Sequence, residues 1–90
     1  MSVGNNMAYG TVTIGGTAAV VKAGRTLRKS IVVQNAHASN DLYVANDSSV
    51  TTSNGLKVTA GQSVEIVGYN GPVYAIASAA GTDVRYCEVY

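Results

Sequence analysis

The chain has 90 residues, with one cysteine (Cys87), one histidine (His37), and six Lys+Arg against five Asp+Glu for a formal net charge of +1. That length suits one domain with a thin core. The lone cysteine and histidine exclude an intramolecular disulfide framework and a Cys/His metal cluster, so no metal and no cofactor is expected.

Residues 1–7 read as an extended polar arm with nothing to fold against by itself. From there, short Val/Ile/Thr/Tyr runs bounded by turn residues predict strands. The first covers 8–14, with Val12 and Ile14 on one face and Thr11 and Thr13 on the other, and Gly15-Gly16 breaks it. A second covers 17–21, and a third, 28–35, is centred on Ile31-Val32-Val33. The loop 35–40 holds His37, and 41–46 follows. Residues 50–53 and 56–59 flank Asn54-Gly55, the best two-residue hairpin signal in the chain. Strands at 62–67 and 73–78 come next, the latter apolar on both faces as a central strand would be. The last is 82–89, where Val84 and Tyr86 alternate with Arg85 and Cys87. The expected fold is all-β: a compact antiparallel β-sandwich or jelly-roll-like barrel of seven to eight short strands over 8–90, with the arm projecting.

Charged residues make up 12% of the chain, against about 25% in an average soluble domain. Gly, Ser, Thr and Asn replace them, so copies repel one another weakly, which suits a component of an assembly. Arg25, Arg28 and Lys29 form a single short basic cluster without interleaved aromatic residues, so no nucleic-acid partner is expected. No apolar run approaches the ~20 residues of a membrane helix, and the first ten residues lack the basic and apolar regions of a signal peptide. Synthesis in the cytoplasm without standard export, and no membrane partner, are the expectations.

Candidate chemistry is sparse. His37 with Asp41 four residues on has no nucleophile in a strand-turn context beside it, and reads as a solvated loop histidine. Cys87 lies in a strand next to Glu88, where a carboxylate disfavours the thiolate, and reads as half-buried and structural. Asp41, Asp47, Glu65, Asp83 and Glu88 are scattered and read as surface or turn charges. Gly15-Gly16 lacks the lysine and helix of a phosphate loop. The chain is therefore expected to work without catalysis, through its surface.

Six tyrosines stand in a chain without Phe or Trp. Tyrosine combines apolar area with a hydroxyl that tolerates water, so it favours interfaces and also suits a sugar platform. Tyr9, Tyr69 and Tyr90 are the candidate contact residues, at the arm, in a loop and at the terminus. Val3, Asn5, Asn6 and Met7 of the arm join them, because an extended segment can add hydrogen bonds to a partner's sheet edge.

The runs Arg28-Lys29-Ser30-Ile31-Val32-Val33-Gln34-Asn35, Asp41-Leu42-Tyr43-Val44, Gly55-Leu56-Lys57-Val58, Ala60-Gly61-Gln62-Ser63-Val64, Val73-Tyr74-Ala75-Ile76-Ala77 and Val84-Arg85-Tyr86 resemble small β-sandwich proteins of tailed bacteriophage particles. Those proteins decorate or cement the capsid. The resemblance covers residues 25–89 and implies a structural protein on the capsid exterior. Its partner would be the major capsid protein, engaged by a homo-oligomer such as a trimer or another symmetric cluster. The same architecture also occurs in tail and fibre modules, which implies receptor or glycan binding as the alternative.

Overall fold

A computed structural model describes residues 6–90 of the chain. It is built of eight strands: β1 (Met7–Ile14), β2 (Ala19–Lys22), β3 (Ser30–Asn35), β4 (Leu42–Ala45), β5 (Leu56–Val58), β6 (Ser63–Val67), β7 (Val73–Ala77) and β8 (Thr82–Val89). β-Branched residues and period-2 patterning make these segments strands, and Gly or Asn/Ser/Asp turns end them. No helix among the described residues is long and apolar enough to cross a membrane.

The strands form two four-stranded antiparallel sheets, ordered β1-β8-β3-β6 and β2-β7-β4-β5. Pairing is nested: β1 with β8, β2 with β7, β3 with β6 and β4 with β5. This is a long hairpin rolled up on itself, the jelly-roll arrangement. Only β4 and β5 are both consecutive and in the same sheet. Every other connection crosses the sandwich, so nearly all pairing is between distant segments.

The inner faces supply one core. Ile14, Ile31, Val33 and Val84 from the first sheet pack against Leu42, Val44, Val58, Val73, Ala75 and Ala77 from the second. β7 is indeed central, flanked by β2 and β4, which explains its apolar residues on both faces.

Two boundaries differ from the sequence reading. The arm does not extend to residue 7: Met7 pairs with Val89, and Asn6 and Tyr90 exchange hydrogen bonds of 2.8 and 2.9 Å. The Asn54-Gly55 hairpin does not form. Residues 51–55 make a turn in which the N–H groups of Asn54 and Gly55 donate to the Thr51 carbonyl, and β5 pairs with β4 instead. Gly55 is needed there for space, because a Cβ would lie 2.7 Å from Val50 Cγ2 and 2.8 Å from Tyr43 Cβ.

Candidate interaction surface

The charges that looked scattered in sequence converge. Glu88 shares the inward phase of Val84 on β8 and is fully buried. Arg28, from the segment before β3, is also buried and donates from Nε to Glu88 Oε1 at 2.9 Å. Arg25 reaches Glu88 Oε2 through Nε at 3.0 Å and through its terminal nitrogen at 2.9 Å, and Lys22 Nζ stands 3.6 Å away. The remaining Arg28 donors go to the carbonyls of Ala23 and Gly71, both at 2.7 Å. Burial pushes the Glu88 carboxyl up, but hydrogen bonds from Arg25 and Arg28, and their charges, outweigh it and hold it below its ordinary value. The hydrogen bond to Glu88 raises Arg25 against the opposing effect of burial.

This cluster is structural. It ties the β2–β3 loop to β8 and to the loop before β7; of the short basic cluster, Arg25 and Arg28 turn toward Glu88 while Lys29 stays exposed. Arg25 lies 3.7 Å from the ring centroid of Tyr90 and Lys22 lies 5.4 Å from that of Tyr86, so both cations also stack on aromatic faces. The reading of Glu88 as a surface charge is corrected. The available signal was its phase: two residues on from Tyr86 and four from Val84, it had to point inward and find cations.

The outer face of the first sheet is charged toward one end, where Asp83 and Arg85 pair at 3.0 Å, and apolar toward the other. On the first sheet, register places Met7, Val89, Ser30 and Val67 in one cross-strand row. The next row holds Tyr9, Cys87, Val32 and Glu65. Tyr9 is 81% exposed, Val67 72% and Met7 65%, so this face presents apolar groups openly. Cys87 sits half-buried among them, as expected. On the second sheet Tyr43 faces Ile76 and Ala45 faces Tyr74, while Val20 pairs with Tyr74 from the other side.

The contact residues chosen from sequence separate into groups. Val3 and Asn5 lie outside the described residues. Met7 and Tyr9 are exposed on the outer face of β1. Asn6 is exposed and locked to Tyr90, whose ring carries Arg25. Tyr69 closes its own loop, donating from Oη to the Pro72 carbonyl at 2.7 Å and packing on the core. The face that the sequence reading did not assemble is the one around Tyr9, because Val32, Cys87 and Val89 reach it only through strand order.

His37 and Asp41 do not pair. His37 Nδ1 accepts the N–H groups of Ser39 and Asn40 at 3.0 and 2.9 Å, and so shapes the β3–β4 loop. Asp41 lies 3.7 Å from Lys57. Beneath the loop, the amide of buried Asn35 donates to the carbonyls of Asn40 and Val58. Among the described residues no group of three or more His, Cys, Asp and Glu is placed to hold a metal ion.

No family model and no curated protein matches the chain. Solved structures do. The stem and receptor-binding domain of spike protein P1 from bacteriophage PM2 superposes with a TM-score of 0.66 at 15% identity, over 90% of this chain and 32% of that one. An HTH_3 family transcriptional regulator from Vibrio cholerae gives 0.66 at 9% identity, over 93% and 43%. Disulfide-linked pili of Bacillus endospore appendages give 0.58 at 14% identity, over 93% and 81%. The chain thus spans under half the length of the first two. Likeness at this identity is one of fold, which hosts many functions.

Proposed function

We propose that this chain is a non-enzymatic structural protein of a bacteriophage particle, a decoration or cement protein that binds the exterior of the shell across major capsid protein subunits. The observation that carries the reading is the exposed apolar patch on the outer face of the first sheet. Arg28 and Glu88 are buried with Lys22 and Arg25 drawn onto the same carboxylate, and the outer faces offer exposed Met7, Tyr9 and Val67 with half-buried Tyr43 and Tyr74. Such faces suit flat contact with neighbouring subunits. Many copies, each burying modest area, stabilise an assembled shell because they bind it in preference to free subunits. The resemblance of the strand runs to capsid decoration proteins supports the same reading.

A second reading, a receptor- or glycan-binding module of a tail or fibre, draws on the similarity to the spike protein domain. Peptide mass spectrometry of density-purified particles, counting this chain against the major capsid protein, separates the two. A ratio of one or a simple fraction supports decoration of the shell. A few copies per particle favours the receptor-binding module, and absence from particles ends the virion reading. Deleting residues 1–5, which spares the Asn6–Tyr90 pair, is expected to leave the fold intact and weaken docking to shells. Unchanged docking would remove the arm from the mechanism.

A further inference from the structure

We infer that β1 is a self-pairing edge, through which two copies of this chain join their first sheets antiparallel about a two-fold axis. The first sheet ends on β1. Asn6 and Tyr90 exchange hydrogen bonds, so alternation assigns the even residues of β1 to the ladder with β8. Met7, Tyr9, Thr11 and Thr13 then direct their N–H and C=O groups away from the molecule. Among the described residues no hydrogen bond reaches those groups.

Open edges are normally blunted by charge, bulges or brevity. The other three edges follow that rule. β2 has four residues, a register shift and Lys22. β5 has three residues and includes Lys57, and β6 carries exposed Glu65. β1 has none of these protections. Its eight residues, MAYGTVTI, contain no charge and no proline, and they pair with β8 without a register shift.

A second copy fits this edge better than an unrelated strand, because the edge complements itself. Antiparallel pairing that sets Tyr9 against Thr11 of the second copy, and Met7 against its Thr13, joins every free backbone group of those four residues. Gly10 then falls on the two-fold axis. No like charges meet along the seam, and the apolar surface around Tyr9 continues across it. The strand spans about 27 Å at ~3.4 Å per residue, so the contact falls at or below the low end of stable interfaces, about 1,200 Å². The dimer therefore dissociates on dilution. This inference concerns the free protein and stands apart from the virion reading.

Sedimentation equilibrium of the full chain over a wide concentration range is expected to show a monomer–dimer equilibrium. Tyr9→Lys, at an exposed position, is expected to weaken it roughly tenfold or more by placing a lysine toward Arg85 of the second copy, with an unchanged circular dichroism spectrum. Register is tested in a Cys87→Ser background by mixing Tyr9→Cys and Thr11→Cys proteins under a mild oxidant. Cross-linked heterodimer should form well in excess of either homodimer. A monomer at all concentrations, a dimer indifferent to Tyr9→Lys, or cross-linking without preference for the mixed pair would each overturn the proposal.

Discussion

Glu88→Gln is the sharpest probe of how this thin sandwich is held together. The substitution keeps the shape of the side chain and removes its charge. Arg28, whose side chain is 0% exposed, then keeps a buried positive charge with no counter-charge in contact. Breaking a buried pair by removing one partner costs about 3–5 kcal/mol. The amide oxygen can still accept from Arg28 Nε, which places the expected loss near 3 kcal/mol, at the low end of that range. For a domain of this size each kcal/mol moves Tm by about 4–8 °C, so a fall of roughly 12–24 °C is expected. Urea and thermal unfolding followed by circular dichroism measure it directly. Acid sharpens the test. The folded carboxyl titrates below its ordinary value of 4.5. Its stabilisation is therefore complete above that value and is lost as pH falls through the lower folded pKa. The wild type should lose stability along that acid limb, and the variant should lose less. A variant within 1 kcal/mol of wild type at neutral pH, with the acid limb unchanged, would refute the assignment of this cluster as the clamp of the fold.

Two further perturbations test specific local claims. Gly55→Ala drives a methyl group into Val50 and Tyr43 at under 3 Å, and overpacking of this kind should cost about 1–3 kcal/mol in urea unfolding; a neutral result would mean the 50–55 turn rearranges freely. His37→Ala leaves the N–H groups of Ser39 and Asn40 without their shared acceptor. It should cost about 1 kcal/mol and speed amide exchange at those two positions, whereas unchanged exchange would show that water replaces the ring.

Much of the architecture is legible from local pattern. All eight strands fall within two residues of where β-branched alternation puts them, the largest shifts being the starts of β2 (19 rather than 17) and β3 (30 rather than 28); the strand expected at 50–53 does not form. The Asn54-Gly55 signal misleads because turn propensity is local, whereas β5 pairs upstream with β4 across an intervening turn. The exposure of the candidate contact residues was only partly legible. Met7 and Tyr9 could be singled out, but Tyr69 is occupied by its own loop and Tyr90 by Arg25.

The sequence by itself determined the all-β class, the two faces of each strand and the shortage of charge that leaves a weakly charged exterior, because period and composition act residue by residue. Only the tertiary structure decided which strands are neighbours. Nested pairing joins β1 to β8 and β3 to β6, and brings Arg25 and Arg28 to Glu88 from 63 and 60 residues away. Those choices depend on burying all the inner faces at once, and a buried carboxylate accepts its position only when the cations arrive with it. The same assembly leaves β1 on an open edge, a property no stretch of eight residues carries alone.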